Sequence, residues 1–200
     1  MSKLVKPHGA DELKPLLLKG AELEQERKKA GSLPKVVMTS RETSDLIMMA
    51  IGAYTPLEGF MTEADWKGVC LEFKMANGVF WPIPITLSAD KGVADSIKDG
   101  DEVALIDGDT DELMGSMQVT GKYAIDKNLE CKEIFTTVDT EHPGVVKVME
   151  QKEVNLAGPV KVFSESTYPE DFKDIYMRPV ESRKIPRTDR RPGMTSPSFM

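Results

Sequence analysis

The sequence predicts an α+β fold, in which a small β-barrel carries added helices. Two segments near residues 21–29 and 40–50 have the charge pattern or apolar spacing of helices. Short apolar segments separated by Asp- and Gly-containing turns follow between residues 102 and 125, and this spacing is typical of a small barrel. The length of 200 residues accommodates one domain, or one domain and the start of a second.

The first quarter of the chain predicts three helices and one strand. Asp11 is expected to cap a short leucine-rich helix that ends at Leu18. Residues 21–29 begin with acidic and end with basic side chains, which complements a helix dipole, and Gly31 ends this helix. A strand over residues 33–38 and a helix over residues 40–50, capped by Ser40, complete this part.

The middle of the chain predicts extended structure. Asn77 and Gly78 form a strong hairpin-turn signal. Two prolines exclude a helix over residues 81–87, so we expect an edge strand there. Residues 102–106 predict a strand, and residues 113–125 predict a long strand with bulges or bends at its glycines.

The last third predicts one helix, one strand and a change of composition. Residues 146–152 are expected to be helical, and Gly158-Pro159 is expected to turn the chain into a strand that ends at Phe163. Residues 166–185 have the character of a new unit. Residues 186–200 are rich in Pro, Arg, Ser and Thr, which predicts a disordered tail.

Composition excludes several classes of protein. The 40% hydrophobic content is ordinary for a globular protein, and the formal net charge of −7 argues against a dedicated nucleic-acid binder. The two cysteines, Cys70 and Cys131, predict reduced thiols rather than a disulfide framework. Since neither a signal peptide nor a membrane-spanning segment is evident, we expect a cytoplasmic protein without a membrane partner.

Residue types that carry chemistry are sparse. His8 and His142 each precede a turn residue, which favours structural roles over catalysis. Residues 107–112 begin like a calcium loop but have Glu112 where a glycine is needed and Gln118 where a glutamate is needed, so a surface hairpin is the better interpretation. The sequence has no glycine-rich phosphate loop. We therefore assign no catalytic, cofactor-binding or metal-binding residue.

Five segments resemble the ATP sulfurylase (sulfate adenylyltransferase) family. Residues 53–61 read Ala-Tyr-Thr-Pro-Leu-Glu-Gly-Phe-Met, which is similar to that family's Tyr-Ser-Pro-Leu-x-Gly-Phe-Met motif. The other four are Pro-His-Gly at 7–9, Trp-Pro-Ile-Pro-Ile at 81–85, His-Pro-Gly-Val at 142–145 and Gly-Pro at 158–159. They stand in the family's order and span about residues 4–185. Pro56 is expected to preset a turn, Gly59 to supply a backbone angle closed to other residues, and Phe60 and Met61 to enter the core.

The resemblance implies an N-terminal PUA-like β-barrel followed by an α/β nucleotidyltransferase domain. It implies the family reaction, in which ATP and sulfate give adenosine 5′-phosphosulfate and pyrophosphate, with ATP as substrate and Mg²⁺ as cofactor of the full-length enzyme. The catalytic motifs of the family, Gln-x-Arg-Asn-Pro-x-His-x-x-His and Gly-Arg-Asp, do not occur in this sequence. No catalytic residue can therefore be carried over, and this chain alone is expected to be inactive.

The expected domain boundaries follow from the resemblance. Residues 1–165 would be the PUA-like domain and residues 166–185 the start of a truncated catalytic domain, with residues 176–185 similar to its first helix. The sequence diverges from the family at Pro186. A frameshift near codon 185, a natural stand-alone module and an engineered truncation all stay open as explanations.

Two hypotheses about function result. In the first, the chain is the N-terminal domain of an ATP sulfurylase, its partner is the catalytic domain, and the full-length family enzyme is a homo-oligomer. Ile175, Tyr176 and Val180 would then be exposed where the catalytic domain is missing. In the alternative, the chain is a stand-alone PUA-like module that binds RNA. The arginines at 187, 190 and 191 are its support, whereas the net charge opposes it.

Overall fold

The computed structural model describes residues 4–185, in which seven strands and eight helices succeed one another along the chain. The helices are α1 (Gly20–Ala30), α2 (Ser40–Ala50), α3 (Glu63–Glu72), α4 (Lys91–Ser96), α5 (Lys127–Phe135), α6 (Pro143–Met149), α7 (Tyr168–Asp171) and α8 (Pro179–Ser182). The strands are β1 (Lys35–Met38), β2 (Gly59–Phe60), β3 (Leu87–Ala89), β4 (Glu102–Asp107), β5 (Leu113–Gln118), β6 (Gly121–Ala124) and β7 (Val154–Val162).

Strand β7 is the centre of the sheet. The strand order is β1-β4-β5-β7-β2, and β3 and β6 also pair with β7. The first half of β7 pairs with β3 and β6, and its second half pairs with β5 and β2. Because one strand changes neighbours along its length, the sheet curls into a half-barrel. This architecture confirms the predicted α+β fold with a barrel and added helices.

Gly59 and Gly158 allow neighbouring segments of the sheet to approach each other closely. A Cβ on Gly59 would lie 1.9 Å from the carbonyl oxygen of Gly158. A Cβ on Gly158 would lie 1.9 Å from the carbonyl oxygen of Gln118, and Gly158 has a φ of 151°. The expected reason for Gly59 was therefore wrong. It provides room for Gly158 in the paired strand rather than an unusual backbone angle of its own.

Capping boxes begin two of the long helices. The side chain of Thr39 accepts a hydrogen bond from the backbone nitrogen of Glu42, whose carboxylate in turn accepts one from the backbone nitrogen of Thr39. Thr62 and Asp65 repeat this arrangement at α3. Thr39, and not the predicted Ser40, is thus the N-cap of α2, because its backbone is extended whereas Ser40 is already helical.

The main core packs side chains of α2 against side chains of β1, β3, β4, β5 and β7. It comprises fully buried apolar side chains from most elements, including Leu46, Leu87, Leu105, Met114 and Leu156. Each such side chain contributes about 2 kcal/mol to folding through burial. Phe60 and Met61 are buried in the same cluster, as predicted for the end of the 53–61 motif.

The predicted helix over residues 11–18 is wrong. Leu18 donates a backbone hydrogen bond to the carbonyl of Val162, and Leu16 and Leu17 donate to the carbonyls of Met49 and Ala50. This segment is extended along β7 and the end of α2. Pro15 explains the difference, since it lacks the donor that a helix would need at this point.

Other predicted boundaries also need correction. The long strand predicted over residues 113–125 divides into β5 and β6, because Val119 and Thr120 turn away and donate to the carbonyls of Asp101 and Ala157. Residues 81–86 join no strand, and Leu87 begins β3. Gly158 and Pro159 lie inside β7 instead of in a turn.

Helical predictions near the C-terminal end were partly wrong as well. The helix predicted for residues 146–152 is α6 and begins earlier, at Pro143. In place of a helix over residues 176–185, the structure has the short α8, which begins at Pro179 because proline is favoured in a first helical turn. Helices α3, α4 and α5 were not predicted. The disordered tail predicted for residues 186–200 lies outside the described residues.

Candidate interaction surface

Apolar side chains are exposed together in the segment after β7. We define the 168–185 surface by six side chains, which are between 42% and 78% exposed: Tyr168, Phe172, Ile175, Met177, Val180 and Ile185. Ile175 is the most exposed of them. Clusters of exposed apolar side chains of this kind mark sites of contact with another protein or domain.

Local structure explains why these side chains face outward. Helices α7 and α8 have four residues each, and neither buries any of its own residues. Pro169 and Pro179 lie in their first turns and start them, but helices this short have no apolar face to pack inward. The rings of Tyr168 and Phe172 stack with centroids 6.1 Å apart. The segment thus contributes apolar area to the surface and little to the core.

Tyr176 departs from the expectation for this segment. Ile175 and Val180 are exposed as predicted, whereas Tyr176 is half-buried. Its hydroxyl donates a hydrogen bond of 3.0 Å to Oε1 of Glu165. Burial, reinforced by this carboxylate, raises the pKa of Tyr176 to about 12, so the hydroxyl remains a donor. Tyr176 therefore holds the segment against Glu165 and is not part of the 168–185 surface.

Polar and charged side chains are grouped around the partly buried Arg41. The guanidinium of Arg41 contacts Oδ2 of Asp45 at 3.3 Å and the carbonyl oxygen of Thr86 at 3.3 Å. The hydroxyl of Tyr54 donates to the other oxygen of Asp45 at 3.2 Å. Burial raises the pKa of Asp45 to about 6, although Arg41 opposes this shift.

Further buried carboxylates lie close to Arg41. Glu42 is fully buried and accepts hydrogen bonds from the backbone and side chain of Ser88 at 2.6 and 2.8 Å. Glu130 accepts from Nε1 of Trp66 at 2.6 Å, and burial raises its pKa. These carboxylates are satisfied by neighbours within the domain. The cluster is therefore part of the hydrogen-bonded framework of the domain.

The two histidines lie in different parts of the fold. Nε2 of His8 is 2.7 Å from the carbonyl oxygen of Phe80. Nδ1 of His142 accepts from the backbone nitrogen of Gly144 at 3.1 Å and so caps α6. The structure thus gives each histidine a hydrogen-bond partner in its own neighbourhood.

The acidic residues 107–112 form a hairpin loop between β4 and β5. Asp107 accepts hydrogen bonds from Thr43 at 3.2 Å and from Thr110 at 2.7 Å. Within residues 4–185, no three His, Cys, Asp or Glu side chains are grouped as a metal site requires.

The cysteines and methionines singled out in the sequence lie mainly in the interior. Cys70 and Cys131 are free and buried, and burial raises the pKa of both thiols, which disfavours the nucleophilic thiolate. Met49 is buried in the main core and Met48 packs against it. Among the described residues, no helix has the length and apolar character needed to cross a membrane.

Comparison with known proteins places these features in a family. The PUA-like domain family matches residues 5–165. A sulfate adenylyltransferase from Syntrophobacter fumaroxidans is 65% identical over 187 residues, which are 92% of this chain and 46% of the relative. A sulfate adenylyltransferase from Thiobacillus denitrificans is 59% identical over 183 residues, 92% of this chain and 45% of the relative. The chain thus spans about half the length of these curated relatives.

A solved structure shares the fold. The hexameric APS kinase from Thiobacillus denitrificans superimposes with a TM-score of 0.68 and 26% sequence identity. The match covers 90% of this chain and 31% of that protein. The same half-barrel with its helices therefore occurs as one part of a larger polypeptide.

Proposed function

This chain belongs to the PUA-like domain family, and on that basis we propose that it acts as the N-terminal domain of a sulfate adenylyltransferase. The observation that carries the proposal is the 65% identity to the Syntrophobacter fumaroxidans enzyme across 92% of this chain. In the reaction of that enzyme class, an oxygen of sulfate attacks the α-phosphorus of ATP, and pyrophosphate leaves as adenosine 5′-phosphosulfate forms.

The role proposed for this chain is support and not chemistry. Residues 1–165 would form the PUA-like domain, and residues 166–185 would be the start of the catalytic domain. ATP and Mg²⁺ would bind to that second domain, because the catalytic motifs of the family do not occur in this sequence. The exposed 168–185 surface supports this division, because apolar area of this kind is usually covered in the complete protein.

We also propose that the complete enzyme is a cytoplasmic homo-oligomer. The fold neighbour from Thiobacillus denitrificans is hexameric, and this supports self-assembly of the longer polypeptide. The two free, buried cysteines support a reducing compartment. The RNA-binding alternative receives no support from the described residues, and the arginines on which it depended lie outside them.

A chimeric enzyme tests the proposal. Residues 4–185 of this chain would replace the matching region of the Syntrophobacter fumaroxidans enzyme, and pyrophosphate release from ATP and sulfate would be measured. We expect activity within about tenfold of the parent enzyme, and background release from the 200-residue chain alone. A chimera that folds and assembles like the parent but releases no pyrophosphate would contradict the proposal, as would robust turnover by the chain alone.

A further inference from the structure

A buried carboxylate stands where the PUA-like match ends. Glu165 is the last residue of that match, and its side chain is almost fully buried. Nε of Arg178 donates to Oε1 at 2.8 Å, and Nη2 of Arg178 donates to Oε2 at 2.6 Å. The hydroxyl of Tyr176 adds a third hydrogen bond, at 3.0 Å. Glu165 is thus held by two side chains from the segment that follows it.

Arg178 and Glu165 form a bidentate ion pair, which is a strong form of salt bridge. Two parallel N–H···O bonds between a guanidinium and a carboxylate give both energy and a fixed orientation. Glu165 raises the pKa of Arg178 further above its ordinary value, so the charge is permanent. The guanidinium also lies 5.6 Å from the centre of the Tyr176 ring. Without these partners, Glu165 would be a buried charge with no counter-ion, which is unfavourable.

The backbone between the partners reverses direction. Ser166 has a φ of 57°, in the left-handed region that residues other than glycine seldom adopt. Its backbone nitrogen donates to Oγ of Ser164 at 2.9 Å, which stabilises this turn. The chain therefore leaves β7, turns at Ser166 and returns so that Arg178 reaches Glu165, thirteen residues earlier.

We propose that Glu165, Tyr176 and Arg178 form a latch that holds the 168–185 surface in a fixed orientation for contact with the following part of the same enzyme. This proposal rests on the proposed function, because the occupant is the catalytic domain of the longer polypeptide. The relatives are about twice as long as the matched region, so a large domain is available to cover the surface. The surface also lies directly after the PUA-like match, where the continuing chain must pass.

The latch itself is tested by hydrogen exchange on the 200-residue chain. Glu165→Gln removes the charge, and Arg178→Lys retains a charge but removes the paired geometry. We expect amides of residues 168–182 to exchange at least about tenfold faster in both variants, while β4 and β5 change little. Glu170→Gln is the matched control, because Glu170 is exposed in the same segment.

Two results would overturn the latch. One is unchanged exchange over residues 168–182 in both variants. The other is equal acceleration in β4 and β5, since Glu165 would then stabilise the whole domain and not this segment. The Arg178→Lys variant is expected to fold, because Arg178 lies outside the core and the lysine leaves a cation next to Glu165. Faster exchange in this variant therefore reports the loss of the paired hydrogen bonds and not a folding defect.

The docking role is tested in the chimera described above. Amides of residues 168–182 are expected to exchange at least about tenfold more slowly in the chimera than in the 200-residue chain, and Glu165→Gln should abolish most of this difference. Equal exchange in the two proteins would overturn the docking role. Protection without any adenylyltransferase activity would support the docking role while contradicting the proposed function, so the two failures are distinguishable.

Discussion

Trp66 donates a hydrogen bond of 2.6 Å from its indole nitrogen to Oε2 of Glu130, and this contact joins α3 to α5 inside the protein. Both side chains are buried. Gln151 donates to the other oxygen of Glu130 at 3.4 Å. One carboxylate therefore holds together two helices and the loop before β7.

Two replacements of Glu130 should show how much of its contribution to stability comes from its charge and how much from its hydrogen bond to Trp66. Glu130→Ala leaves the buried indole nitrogen without an acceptor and creates a cavity, so we expect a loss of about 2–4 kcal/mol in the free energy of unfolding. Glu130→Gln keeps an acceptor for Trp66 and removes a buried charge, so its loss should be smaller. Urea denaturation measures both. Equal losses in the two variants would show that the hydrogen bond to Trp66 does not matter.

The pH dependence of stability should change in Asp45→Asn. The pKa of Asp45 is raised to about 6 in the folded protein by burial, against about 3.9 in an unfolded chain. The folded state binds more protons between these values, so this residue's contribution to stability is greatest below pH 4 and declines as the pH rises to 6. The decline amounts to about 2–3 kcal/mol.

Thermal or urea unfolding at several pH values between 4 and 7 measures this effect. Asp45→Asn should lack the decline and gain stability relative to the natural protein as the pH rises. Asp99→Asn, at an exposed position, is the matched control and should follow the natural protein. Parallel stability curves for Asp45→Asn and the natural protein would contradict the raised pKa.

Gly158→Ala should be severely destabilising. The new methyl group would lie 1.9 Å from the carbonyl oxygen of Gln118, and the φ of 151° is unfavourable for alanine. We expect a loss above about 3 kcal/mol, or failure to fold. Gly121→Ala is the control in the adjoining strand, because nothing lies within 4 Å of its added methyl group. Similar unfolding free energies for the two variants would contradict the close approach seen at Gly158.

The 168–185 surface should cause the 200-residue chain to self-associate. Ile175 is its most exposed member, and Ile175→Asp should raise the dissociation constant at least about tenfold without changing thermal stability. Sedimentation velocity over a range of concentrations measures this. Val138→Asp introduces the same change at an exposed valine elsewhere and should have no effect. If both variants weaken association equally, general surface charge and not this surface is responsible.

Local signals explain which parts of the fold could be predicted from the sequence. Helix α2 has the apolar spacing from which it was predicted, although its N-cap is Thr39 and not the predicted Ser40. Strand β4 lies between two turns with Asp and Gly at suitable positions. The resemblance of the 53–61 motif and four other segments then led to the family, which the comparison with sulfate adenylyltransferases confirms.

Long-range contacts explain what could not be predicted. Gly158-Pro159 has the local signature of a turn, yet it continues β7 because Gln118 and Gly59 approach from neighbouring strands. The pair between Glu165 and Arg178 has no helical spacing and depends on the reversal at Ser166. By contrast, Arg41 and Asp45 are four residues apart on α2, and this spacing could have indicated their contact.

The position of β7 has a consequence for synthesis of the protein on the ribosome. Strands β2, β3, β5 and β6 all pair with β7, yet all four precede it in the chain. Until residues 154–162 have left the ribosomal tunnel, these strands lack their shared partner, and apolar faces that belong to the core remain open to solvent. The barrel therefore closes only after all its other strands have been synthesised, with a high share of non-local contacts. Chaperones that bind exposed apolar segments would act on this nascent chain until that strand is released.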